Sequence, residues 1–248
     1  MKPFSILFTI LLVLNSTTFQ AQHKIGIFDG QIGIGNPKVK GSATFNSDDQ
    51  TYTIDGAGTN MWFEKDEFQY LWTTLQGDFI LRTTVNFEGK GKDPHRKAGW
   101  IIKNNLDDNS AHVNASTHGD GLTSLQYRKT VGGLTEEVKS SHENPTIIQL
   151  ERHGTTYIMS TAKFGEEFTS IELTDMDLDN EVYVGLYVCS HNPKVLERAT
   201  FSNVRIVKPV GDDYQAYRDY IGSNLELMDV ETGHILFKPQ IGPLMVKN

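Results

Sequence analysis

Apolar and polar residues alternate with a period of two along much of this chain. In His112–His118, His112, Asn114, Ser116 and His118 share one parity, and Val113 and Ala115 share the other. In a strand these two sets face opposite ways. Ser124, Gln126 and Arg128 are set against Leu125 and Tyr127 in the same manner. Arg82, Thr84, Asn86 and Glu88 oppose Phe79, Leu81, Val85 and Phe87, while Gln149 and Glu151 oppose Ile148 and Leu150. Further strands are predicted at Ser42–Phe45, Thr51–Ile54, Phe68–Leu75, Ala98–Asn104, Thr156–Ala162, Thr169–Leu173, Val182–Cys189 and Ala199–Lys208. Glycine, Asp and Asn punctuate the gaps; Gly77-Asp78 and Gly119-Asp120-Gly121 read as hairpin turns. No long helical periodicity competes. The pattern predicts an all-β sandwich of two antiparallel sheets.

The two ends break this rhythm. Lys2 precedes an apolar run, Phe4–Leu14, and Phe19-Gln20-Ala21 ends in a small residue. That reads as a signal peptide over residues 1–21, cleaved after Ala21, so export is expected, with no membrane span after cleavage. The sandwich is expected over 22–210. In the tail, 211–248, a strand-like Asn224–Val230, a turn at Glu231-Thr232-Gly233 and a return at His234–Lys238 suggest a hairpin.

Charge narrows the partners. The net charge is −8, about −9 without Lys2, which argues against nucleic acid and polybasic membrane contact. The lone Cys189 has no internal disulfide partner and reads as a small buried apolar residue.

The polar faces carry the candidate chemistry. His, Asn, Gln, Arg and Glu are planar groups that meet hydroxyls at fixed angles. Lys103, His112, Asn114, His118, Gln126 and Arg128 are the candidate ligand-binding residues. His95 and Arg96, from the basic loop Gly89–Lys97, are placed at the rim. Of the aromatics, Trp100 is expected in the core, opposite Lys103. The stripe Phe68, Tyr70, Trp72 is also expected inside, and Trp62 either rims a site or plugs an end. Weak catalytic candidates are His118, Asp120 and Glu151. The run Asp175–Glu181 lacks the Gly and Glu of a calcium-binding EF-hand loop. No nucleophile elbow, zinc-protease or phosphate-loop motif is present.

Several segments resemble secreted concanavalin-A-like lectin/glucanase modules. They are Gly77-Asp78-Phe79, Lys97–Lys103, Gly121–Arg128 and Tyr183-Val184-Gly185-Leu186 followed by Ser190-His191-Asn192. Together with the Asp-Val-x-Thr-Gly of the tail, they are similar to the sandwich that precedes TolB-like propellers in exported bacterial proteins. The resemblance implies a jelly-roll with a concave sheet used to bind or cleave glycans. It requires no cofactor and is compatible with a structural calcium. The Glu-x-Asp-x-x-Glu strand of laminarinase-type glucanases is missing. The leading expectation is a non-catalytic carbohydrate-binding module. The alternatives are a divergent glycoside hydrolase and an envelope protein-interaction module acting through the tail. On the glycan-binding reading, replacing Gln126 and Arg128 with Ala should abolish binding and leave thermal stability nearly unchanged.

Overall fold

The computed structural model describes residues 24–208, 227–228 and 235–237. The signal-peptide region and most of the tail lie outside these residues. In the tail, Leu227–Met228 pairs antiparallel with Ile235–Phe237, within the two segments read as a hairpin.

The main body is a jelly-roll sandwich of two seven-stranded antiparallel sheets. The front sheet contains β1 (Gly30–Ile34), β4 (Phe68–Gln76), β6 (Lys97–Lys103), β7 (His112–His118), β8 (Thr123–Arg128), β9 (Glu136–Lys139) and β13 (Glu181–Cys189). Its spatial order is β1-β4-β13-β6-β7-β8-β9. The back sheet contains β2 (Ser42–Asn46), β3 (Thr51–Gly58), β5 (Phe79–Phe87), β10 (Ile147–His153), β11 (Thr156–Ala162), β12 (Thr169–Leu173) and β14 (Asn192–Val207). Its order is β12-β11-β10-β5-β14-β3-β2. Among the described residues no helix is long and apolar enough to cross a membrane.

Two strands escaped the sequence pattern, and both involve a sheet edge. β1 reads Gly-Gln-Ile-Gly-Ile, too rich in glycine to look like a strand, and β9 is a short charged run, Glu-Glu-Val-Lys. Short, charged edges are how sheets avoid pairing with other chains. Gly77-Asp78 is not a hairpin turn: β4 and β5 lie in different sheets, so this turn carries the chain across the sandwich. Gly119–Gly121 does close the β7–β8 hairpin, with His118 N donating to Leu122 O at 2.8 Å.

The core fills the space between the sheets. Trp100, Ile102, Val113, Leu125 and Leu186 from the front meet Phe79, Leu81, Leu150 and Phe201 from the back, all buried. Each such side chain contributes roughly 1.5–3 kcal/mol through removal from water. The parity of the Phe68 stripe resolves the other way from expectation. Leu71 enters the core, so Phe68, Tyr70 and Trp72 emerge on the outer face of the front sheet. There they join Ile34, Met61, Ile101, Tyr187 and Cys189 in a second apolar cluster.

That second cluster exists because residues 59–67 fold across the outer face. Glu67 closes the base of this loop: its carboxylate accepts from Thr59 N at 2.7 Å, and its own N–H donates to Asn60 O at 2.8 Å. Gly58, at φ +140°, stands where a Cβ would collide with the Glu67 carbonyl oxygen, so only glycine lets the two ends meet.

Candidate functional site

Strand register lays the outer face out in rows. Tyr183, Lys103, His112 and Arg128 form one row across β13, β6, β7 and β8. Gly185, Ile101, Asn114, Gln126 and Glu137 form the next, reaching β9. Tyr187, Gly99, Ser116, Ser124 and Lys139 form a third, and Cys189, Lys97 and His118 a fourth. Gly99 offers no side chain beside Tyr187. The phenol therefore passes over it and meets the Ser116 hydroxyl on the next strand. Burial pushes the Tyr187 hydroxyl pKa far above its ordinary value, so it stays a neutral hydrogen-bonding group.

The first row is a buried ion cluster beneath the loop. Asp66, from residues 59–67, accepts from Lys103 Nζ at 2.6 Å and from Arg128 Nη2 at 2.7 Å. His112 Nδ1 lies 3.6 Å from the same carboxylate. Arg128 also donates to Phe63 O at 2.6 Å and Gly133 O at 2.9 Å. All four side chains are fully buried. Burial raises the Asp66 pKa, but His112, Lys103 and Arg128 outweigh it and leave the carboxyl below its ordinary value. Desolvation pushes His112 down to about 3, so its imidazole is neutral. Lys103 and Arg128 thus hold the loop to the sheet, with the neutral His112 packed beside them, and none of the three presents charge to solvent.

Beside this clasp a cleft of about 230 Å³ opens at the end of the sheet where β6 begins and β7 ends. Its walls are Asn60 and Trp62 from the loop, Lys97, His118, Gln126, Glu137 and Lys139 from the sheet, and His95, Leu122 and His191 from turns. His118 Nδ1 lies 2.9 Å from Leu122 O, an acceptor, so Nδ1 carries the proton and Nε2 keeps its lone pair. Burial, with Lys97 nearby, pushes His118 down to about 4, so it is neutral near pH 7. Gln126 Nε2 donates to Glu137 at 3.0 Å, while its Oε1 is buried without a hydrogen-bond partner. Asn114 Nδ2, at the paired position on β7, is also buried without an acceptor. An acceptor and a donor on paired positions are what a hydroxyl requires.

The sequence-derived candidates therefore divide. His95, His118 and Gln126 line the cleft, and Asn114 lies behind Gln126. Arg96 does not overhang it. Its guanidinium is buried, pairs with Glu197 at 2.6 Å, donates to Gly89 O and lies over Phe87, fastening the loop between the sheets. Asp120 stands beside His118 at the hairpin but approaches His95, at 3.6 Å. Glu151 is on β10 of the back sheet, facing away from the core and so away from this cleft, and accepts from Gln149. The three catalytic candidates do not converge. Trp62 rims the cleft and Trp100 sits in the core.

Lys97, Glu137, Lys139 and His191 were not among the sequence-derived candidates. Lys97 has the same parity as Lys103, a signal that was available. Glu137 and Lys139 lay on the unrecognised edge strand, and His191 in a turn.

The Asp175–Glu181 run does not fit a cation. Met176 and Leu178 point into the core, and Asp179 N donates to Asn104 Oδ1 at 3.0 Å. Among the described residues no group of three or more His, Cys, Asp or Glu could hold a metal ion.

The architecture recurs in solved structures. A functionally unknown protein from Saccharomyces cerevisiae superposes with a TM-score of 0.56 at 13% identity, covering 73% of this chain and 97% of that one. A carbohydrate-binding module from Bacillus subtilis gives a TM-score of 0.48 at 14% identity, over 73% of this chain and 98% of the module. An alginate lyase from Klebsiella pneumoniae gives 0.45 at 8% identity, over 68% and 84%. No protein-family model matches the chain, and no curated protein does. At such identities the likeness is one of fold.

Proposed function

We propose that this chain is an exported, non-catalytic glycan-binding sandwich whose ligand enters the cleft between Trp62, His118 and Gln126. One observation carries the reading: an aromatic side chain borders a set of planar polar groups in which the buried Gln126 Oε1 has no partner. A sugar presents the complement, an apolar C–H face and a ring of hydroxyls. The glycan-associated neighbours of the same fold favour this class, although a fold by itself does not decide function. The cleft is smaller than the roughly 300–1,000 Å³ of typical small-molecule sites, so it suits a single ring or chain end.

The test is calorimetric titration of the chain and its Gln126→Ala variant with oligosaccharides found on a glycan array. The expected result is a loss of about tenfold or more in affinity, one good hydrogen bond to a polar ligand, in a variant whose dichroism spectrum shows it folded. Undiminished affinity in the folded variant removes the cleft from consideration. Repeating the array with a chelator reports on structural calcium. A turnover assay on the same sugars separates binding from cleavage. Capture of an envelope partner through the tail concerns residues outside those described and is tested by deletion from Asp212.

A further inference from the structure

We infer that the glycan taken by this cleft is acidic, carrying a carboxylate or sulfate that pairs with Lys97. The inference rests on the glycan-binding reading and names its ligand class.

Burying an ammonium is costly unless a counter-charge accompanies it. Around this sheet the rule is followed, with one exception. Lys103 and Arg128 share Asp66, and Arg96 has Glu197. Lys97 is only 3% exposed, and its sole hydrogen-bond acceptor among the described residues is the neutral Asn60 Oδ1, at 2.9 Å. Among the described residues no carboxylate forms an ion pair with it; burial lowers its pKa, and Glu137, Asp93 and Asp66 favour the charged form only from farther away. Its neighbours in the row supply no negative charge near neutral pH: burial raises the Cys189 thiol to about 11, and the His118 imidazole is neutral.

The carboxylates around the cleft act on this charge from a distance, but each is engaged elsewhere and none pairs with it directly. Glu137 is the single carboxylate among the lining residues, and it is engaged by Gln126 at 3.0 Å and by Lys139 at 3.8 Å. Asp93 and Asp120, near the rim, accept backbone N–H groups from His95 and Leu122 and stand 3.6 Å from His191 and His95. The cleft thus holds a buried ammonium with no carboxylate in direct contact, on a chain of net charge −8. An anion held there acquires a charge-assisted hydrogen bond in a poorly solvated site, where such bonds are strongest. A neutral sugar leaves the ammonium as it was.

The experiment uses the full exported chain and three probes: oligogalacturonate, the same oligomer with its carboxylates methyl-esterified, and a sulfated galactan oligomer. Titrations run at pH 7 in low and moderate salt. Expected is at least tenfold tighter binding of one acidic probe than of the methyl ester, weakening with salt, and loss of that preference in Lys97→Met. The two acidic probes distinguish carboxylate from sulfate. Equal binding of acidic and esterified oligomers overturns the inference and leaves glycan binding intact. Failure of every glycan, neutral or acidic, on a folded protein overturns both. Should Lys97→Met not fold, the esterification and salt comparisons on the unaltered chain still decide. A folded Lys97→Met that keeps the acidic preference also overturns the assignment.

Discussion

Asp66 is the residue on which the outer face of the front sheet depends. Among the described residues it is the single carboxylate that pairs with the buried Lys103 and Arg128, both at 0% exposure. Asp66→Asn removes the charge but keeps the shape, stranding two cations. The expected cost is about 3–5 kcal/mol, as for other buried pairs broken on one side, read as a lowered urea midpoint. Arg128→Ala is expected to be similarly damaging, since it leaves Asp66 with Lys103 alone and takes a donor from three backbone carbonyls. The expectation that Arg128 could be removed at little cost in stability is therefore replaced. A second residue-scale consequence concerns acid. His112 and His118 are neutral when folded, with values pushed from 6.5 to about 3 and about 4 by burial. Unfolded, both take up a proton near pH 6.5. The unfolded state binds more protons below that pH, so stability is complete above it and declines as the pH falls toward 4. At pH 5 each histidine costs about 2 kcal/mol. Denaturant midpoints measured at pH 7.5 and pH 5 check this; equal midpoints would contradict the burial of both rings.

At the scale of elements, the alternation that located β5 to β8 also fixed which side chains share a face, because a strand permits no other assignment. It could not say which face of β4 meets the core. Phe68, Tyr70 and Trp72 are as apolar as Leu71 and Leu75, and the crossing loop is what buries Phe68 and Tyr70 and half-buries Trp72 outside the sandwich. That loop, residues 59–67, has no periodicity of its own and is held by Asp66, Glu67 and the glycine at its base. Gly58→Ala should therefore force the loop ends apart. A loss of about 2 kcal/mol or more is expected, within the range for strained backbone sites, together with increased protease cleavage after Met61–Phe63. If cleavage there is unchanged while stability falls, the strain is relieved elsewhere and Gly58 is not the loop's closure.

For the whole molecule, the pairing is dominated by distant segments. β1 joins β4, β4 joins β13, β13 joins β6, and β14 joins both β3 and β5. Both sheets contribute to one core, with Trp100 in its midst. A single cooperative unfolding transition is expected, with tryptophan fluorescence and far-ultraviolet dichroism coinciding. Refolding should take milliseconds to seconds, as topologies rich in non-local strand pairs do. Separate transitions for the two probes would mean that the sheets unfold independently.

The sequence by itself determined the all-β class, most strand positions and the parity of the polar candidates that lie in strands, since these follow from local spacing and turn chemistry. It also singled out His95, His118 and Gln126, three residues that line the cleft. Tertiary structure decided the rest. Placing Lys103 and Arg128 under Asp66, fastening Arg96 to Glu197, sending Glu151 to the opposite sheet and leaving Lys97 without a carboxylate all depend on contacts between segments far apart in the chain. Whether a charged side chain is a ligand group or a structural clasp is set by what folds over it, and no local pattern records that.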